Sequence, residues 1–212
     1  MGDLFRFFCM NPAHRLLLVS TESAAQSPPH PSFAPWYLTR VLLAYAEHYG
    51  GNPSLSIVPL KAGVDLASLW QQVSNPEADW VLIQAEDSFA SPLWADTTIA
   101  DLAWDWRLAT VLLVPLGTQT VSQTIAYTAL ARQSRCCLKG VLWVAHDQQT
   151  WDDRVELAPP HLLHPFIQVP LLGTLPPWDA NRSTAALAQL ASELRLEYFF
   201  PFVPSQALPK SA

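Results

Sequence analysis

Little in this chain is charged: Asp, Glu, Lys and Arg make up 14% of 212 residues, and the net charge is -6. No Lys or Arg run occurs anywhere, which argues against a nucleic acid partner, because phosphate contacts need clustered cations. Cysteine is scarce as well. Cys9 stands alone and Cys136-Cys137 are adjacent, so no disulfide framework is expected. No apolar stretch approaches the roughly 20 residues that span a bilayer. The Leu16–Val19 run is too short for a signal-peptide core, and Arg6 stands where a myristoylation signal needs Ser or Thr. These absences together lead to the expectation of a cytoplasmic protein without nucleic acid or membrane partners.

What the chain does have is apolar residues, 50% of its length, enough for a full core in one domain over 1–200, with a loose tail over 201–212. Short apolar runs alternate with helical patterns. Strands are expected at Leu16–Val19, Leu55–Val58, Trp80–Gln84, Thr110–Leu116, Lys139–Ala145 and Phe166–Leu172. Between them, a Pro- and Ser-rich loop (Ser23 to Pro31) leads to a helix with Ser32 as N-cap and Pro35 in its first turn. Leu38, Val41, Leu42, Tyr45 and Tyr49 fall on one face of it, and Gly50-Gly51 ends it. Further helices are expected over Asp65–Val73, Thr97–Trp106, Thr118–Gln133 and Thr184–Leu196. Asn75-Pro76 marks a turn. Continuous apolar strands alternating with helices predict an α/β fold: a doubly wound, mostly parallel sheet of six or seven strands in a three-layer α/β/α arrangement. Ligands of such sheets bind outside the carboxyl ends of the strands.

Several ordered segments carry a family resemblance over roughly residues 78 to 195. They are Ala78-Asp79-Trp80-Val81-Leu82-Ile83, Ser91-Pro92-Leu93, Ala100-Asp101-Leu102-Ala103, Thr110 to Gly117, Lys139-Gly140-Val141-Leu142-Trp143-Val144 and Pro170 to Pro176. In this order they resemble dethiobiotin synthetase, of the P-loop NTPase superfamily. The resemblance implies the P-loop NTPase-like fold, a homodimer, and biotin-biosynthesis chemistry: carbamate formation on a diamine, phosphorylation by ATP with magnesium, and ring closure.

The family's phosphate loop, of the type G-T-x-T-x-x-G-K-T, should follow the first strand. Its backbone N–H groups wrap phosphate and its Lys neutralises it. Here Ser20 to Pro31 contains neither Gly nor Lys. Pro28, Pro29 and Pro31 remove donors, and Glu22 adds negative charge. This reads as a degenerate Walker A segment. The family's K-P dipeptide is met only by Pro59-Leu60-Lys61, and its Glu- and Gly-rich metal segment only by Gln84-Ala85-Glu86-Asp87-Ser88. A solvated loop Lys and a solvated carboxylate pair are the simpler readings of these two.

The family's adenine-reading Asn-Asp corresponds to His146-Asp147, and its G-x-[IL]-P turn is intact as Gly173-Thr174-Leu175-Pro176. His146, Asp147, Leu175 and Pro176 are therefore the residues that the resemblance places at a nucleotide, with ordinary loop and turn roles as the alternative. His161 and His164 lack further ligands at zinc spacing. Ser88 and Ser122 lack a nucleophile-elbow context. Gly117-Thr118, at a strand-to-helix junction, is a weak anion site or only a tight turn.

No catalytic residue, metal site or cofactor is expected on this reading. The chain is expected to be a pseudoenzyme acting through protein contacts. The alternative is an ATP- and Mg-dependent dethiobiotin synthetase with a rebuilt nucleotide site. Nine tryptophans point the same way. Trp104 and Trp106 cannot share one helical face, so one of them is expected at a surface near Trp94 that binds a second copy or another protein.

Overall fold

A computed structural model describes residues 14–23, 33–49, 53–75, 77–94 and 96–201. The elements in chain order are β1 (His14–Ser20), α1 (Ala34–Tyr49), β2 (Leu55–Leu60), α2 (Leu66–Val73), β3 (Trp80–Ala85), β4 (Pro92–Trp94), β5 (Thr97–Thr98), α3 (Ile99–Asp105), β6 (Ala109–Pro115) and α4 (Thr120–Gln133). They continue as β7 (Cys137–Val144), α5 (Gln148–Asp152), α6 (Arg154–Leu157), α7 (Pro160–Ile167), β8 (Leu171–Leu175), α8 (Thr184–Ser192) and a 3-10 turn, Leu196–Tyr198. Ser32, Gly50-Gly51, Pro76, Cys9, His30, the stretch 24–31 and the tail 202–212 lie outside the described residues.

Six strands form one sheet in the order β2-β3-β1-β6-β7-β8, and every pairing is parallel. Central strands of such a sheet are covered on both faces, which is why they read as unbroken apolar runs. Leu16, Leu17, Leu18 and Val19 of β1 are all 0% exposed. Their side chains alternate between two cores. Leu17 and Val19 join Val81, Ile83, Leu112 and Val114 beneath α2, α3, α4 and α7. Leu16 and Leu18 join Leu82, Val111 and Leu113 beneath α1 and α8. Two cores separated by one sheet make the α/β/α sandwich that the alternation predicts. Burial of each such aliphatic side chain contributes about 1.5–3 kcal/mol.

Local chemistry sets the helix starts. Asp65 caps α2 by accepting from Ser68 N (2.8 Å), and Ser183 caps α8 by accepting from Ala186 N (3.2 Å). At α3, Thr98 and Asp101 form a reciprocal capping box, which puts Thr97–Thr98 in β5 rather than in the expected helix. β2 runs two residues further than expected, through Pro59, because it is an edge strand and tolerates a missing N–H there.

Two expectations fail in the last third. Phe166–Leu172 is not a strand. Phe166 and Ile167 end α7, Gln168 turns in the left-handed region (φ 52°), and the strand is Leu171–Leu175. Leu163 and Ile167 are buried at helical spacing while Phe166 is exposed, so the apolar pattern there has the helix period. The closing helix stops at Ser192 instead of Leu196. Beyond it, Arg195 N donates to Leu172 O (2.9 Å), and Leu194 packs on Gly173, where an added Cβ would lie 2.7 Å from Leu194 Cδ2 and where the φ of +136° suits glycine. Tyr49, expected on the buried face of α1, is 40% exposed at the end of that helix.

Candidate functional site

The loop after β1 leads to α1 on one face of the sheet, and the loop after β6 leads to α4 on the other. The two loops therefore part between neighbouring strands and open a crevice at their carboxyl ends, the usual ligand position in this architecture. An open cleft of about 320 Å³ lies there, lined by Glu22, Gly117, Thr118, Gln123 and His146 among others. A recess of about 20 Å³ continues beneath it between Ser20, Ser23, Phe33, Ala34 and Val144.

The floor of the cleft is fixed by hydrogen bonds that tie the β1 exit to β6 and α4. Thr21 N donates to Leu113 O (3.0 Å), Thr21 Oγ1 to Gln123 Oε1 (3.0 Å), and Tyr127 Oη to Thr21 O (3.0 Å). Gln123 and Tyr127 are four residues apart on α4, so both face the end of β1. The polar i, i+4 pair was their only signal in the sequence. Ser20 O accepts from Phe89 N (3.0 Å), and Ser23 Oγ donates to Asp87 Oδ1 (2.9 Å). Asp87 Oδ2 also accepts from Ala62 N (3.3 Å). Asp87 thus ties the loops after β1, β2 and β3 together.

Glu22 and His146 meet across the cleft, with His146 Nε2 3.9 Å from Glu22 Oε2. Both side chains are well exposed, 38% for Glu22 and 45% for His146. No Lys or Arg is among the described residues lining the cleft. Lys61 is exposed at the end of β2, two strands away from β1, or about 10 Å at ordinary strand spacing. The Gly117 N–H, which an anion at the start of α4 would use, donates instead to Thr120 Oγ1 at 2.7 Å.

Of the four residues assigned to a nucleotide by resemblance, only His146 reaches the cleft. Asp147 is the N-cap of α5: its Oδ1 accepts from Thr150 N (2.8 Å), and that bond holds its carboxyl below the ordinary range. Leu175 is 0% exposed within the core beneath α1 and α8, and Pro176 is buried beside it. Their side chains pack; they do not line the cleft. Glu86 is exposed, and no group of three His, Cys, Asp or Glu able to hold a metal occurs among the described residues.

An aromatic cluster that the sequence did not single out lies at the start of α1. Trp178 packs edge-on against Trp36 and Tyr37, both at 5.0 Å between centroids. Arg182 Nη1 donates to Tyr37 Oη at 2.7 Å. Burial pushes the Tyr37 phenol upward, and Arg182 partly offsets this. Among the described residues no helix is long and apolar enough to cross a membrane.

Comparison with known proteins adds two findings. A family model described as an AAA domain matches residues 52–185 and so begins beyond β1 and α1. The chain is also similar to proteins named ATP-dependent dethiobiotin synthetase BioD. It is 33% identical to the Gloeothece citriformis protein over 140 residues, which is 65% of this chain and 62% of that one. It is 33% identical to the Crocosphaera subtropica protein over 139 residues, 65% of this chain and 63% of that one. For the Synechocystis protein the figures are 33% over 138 residues, 63% and 58%. The matched stretch thus spans under two thirds of each relative. With a parallel sheet, its switch-point cleft and a family match over most of its length, the chain belongs to the AAA domain family as a dethiobiotin synthetase-like member with the P-loop NTPase fold.

Proposed function

We propose that this chain keeps the dethiobiotin synthetase-like scaffold without its ATP-dependent chemistry and acts by binding protein. One observation carries the reading. The place where a phosphate would sit is lined by a carboxylate, Glu22, and by no Lys or Arg among the described residues. Phosphoryl transfer depends on cations and N–H donors aimed at the transferring group. The sequence from Ser20 to Pro31 has neither Gly nor Lys to provide them, and the Gly117 N–H is already taken. Each charge-assisted bond forgone is worth roughly 1.5–3 kcal/mol, so several together remove micromolar affinity for triphosphate.

The alternative is a dethiobiotin synthetase with a rebuilt nucleotide site, favoured by the 33% identity to proteins of that name. Titration calorimetry with ATP and magnesium separates the two, together with complementation of a biotin-requiring strain that lacks the synthetase. The proposal expects no saturable heat at micromolar ATP and no growth without biotin. Micromolar binding or growth overturns it in favour of the alternative.

A further inference from the structure

The charges of the connecting segments are sorted between the two ends of the sheet. Among the described residues, the segments that lead from a strand's carboxyl end to the next helix carry Glu22 after β1, and Lys61 and Asp65 after β2. They carry Glu86, Asp87 and Asp96 after β3, Asp147 after β7, and Asp179 and Arg182 after β8. Seven carboxylates thus stand against two cations, a balance of -5 in a chain of net charge -6, with histidine counted neutral in both. At the opposite end, the segments that return to a strand carry Glu77 and Asp79 against Arg107 and Arg135, which cancel. A cleft at the acidic end concentrates cations, because walls of one sign focus the field within it.

The cleft between β1 and β6 lies at that end, and its backbone donors are spent inside the protein. Thr21 N donates to Leu113 O (3.0 Å), Leu116 N to Val144 O (2.8 Å), Glu22 N to Ser20 Oγ (3.1 Å) and Gly117 N to Thr120 Oγ1 (2.7 Å). The Glu22 carboxylate, by contrast, accepts no hydrogen bond from a described residue. His146, its one neighbour there that can take a positive charge, keeps Nε2 3.9 Å away, beyond hydrogen-bond distance. A carboxylate with both oxygens open accepts the two parallel N–H bonds of a guanidinium, and the exposed His146 ring beside it offers a plane on which that group stacks. We infer that this cleft of about 320 Å³ receives an arginine side chain of a protein partner, with its guanidinium on Glu22 and the partner's adjoining basic residues on the acidic loops around it. The inference rests on the protein-binding reading above and names the chemistry of the partner.

Amide NMR of the full chain tests it, with the peptide acetyl-Gly-Arg-Gly-Arg-Gly-amide, its citrulline counterpart and methylguanidinium as probes. The arginine peptide should shift the amides of Glu22, Thr118, Gln123 and His146 saturably, and less tightly at high salt. Citrulline has nearly the same shape without the charge, and its peptide should shift none of them. Glu22→Gln should weaken the arginine peptide about tenfold while circular dichroism stays native. Glu77→Gln removes the same charge at the other end of the sheet and should change nothing. Methylguanidinium should bind at least about tenfold more weakly than the peptide, whose second arginine reaches the acidic loops. Equal affinity would assign the cleft to a free small cation and overturn the inference. So would an arginine peptide that shifts no cleft amide, or one that Glu22→Gln binds as wild type does. ATP with magnesium, titrated in parallel, keeps two failures apart. Without ATP shifts, a silent peptide sinks the arginine site alone; ATP shifts in the cleft sink the reading on which it rests.

Discussion

Gly140 lies in β7 where β8 approaches most closely, and replacing it by alanine tests the packing that carries β8 and the turn beyond it. A Cβ at position 140 would stand 2.6 Å from Pro170 O, 2.7 Å from Leu172 Cγ and 2.8 Å from Leu172 Cδ2. These are about 1 Å short of ordinary contact, so β8 must retreat. The near atom is backbone, and Leu172 is 0% exposed with nowhere to turn. Overpacking of this kind costs about 1–3 kcal/mol. Retreat also stretches the bond from Val141 N to Pro170 O, now 3.0 Å, whose loss adds about 1 kcal/mol. Gly140→Ala should therefore lose about 2–4 kcal/mol out of a total of roughly 5–15. At about 2–4 °C per kcal/mol, Tm should fall by roughly 4–16 °C. Gly117→Ala is the control, because nothing lies within 4 Å of its added Cβ and its φ is ordinary. Guanidinium unfolding followed by circular dichroism reads both variants, with the slope m unchanged. A Gly140→Ala stability within about 0.5 kcal/mol of wild type would refute the close-approach argument.

The capping box at α3 predicts a pH response. Hydrogen bonds from Thr98 hold the Asp101 carboxyl below its ordinary value of 3.8. Its contribution to stability is therefore complete above that value and is lost as pH falls through the depressed folded value. Asp101→Asn should flatten that acid limb in unfolding titrations; an unchanged limb would exclude Asp101 as its source. The adjacent cysteines should react unequally. Burial pushes the Cys136 thiol up to about 11, and its Sγ donates to Ala100 O, whereas Cys137 is exposed. Iodoacetamide at neutral pH should add a single label to the tryptic peptide Cys136–Lys139 in the folded protein and two after unfolding, read by mass spectrometry. Two labels on the folded protein would contradict the burial.

The sequence by itself determined the layers. Leu16–Val19, Trp80–Ile83 and Val111–Val114 are apolar throughout because their strands are buried on both faces, and that pattern needs no structure to be seen. It also disclosed the missing Gly and Lys after β1, since a phosphate nest depends on residue type before geometry. That Trp104 and Trp106 would part, one exposed and one packed, was expected from a helix over both; the parting holds, although Trp106 stands just beyond the end of α3 and packs on Trp70. Only the tertiary structure decided the rest. Whether Phe166-Ile167 is strand or helix depended on what Leu163 and Ile167 found to pack against. The end of α8 depended on Leu194 fitting over Gly173. The cleft was hidden for the same reason. Thr21, Gln123 and Tyr127 are more than one hundred residues apart in part and meet because β1 pairs with β6, which places α4 beside the end of β1. Leu175 and Pro176 kept their motif but face the core, because a motif fixes the turn of the backbone while the surrounding sheet and helices fix which side of it is buried.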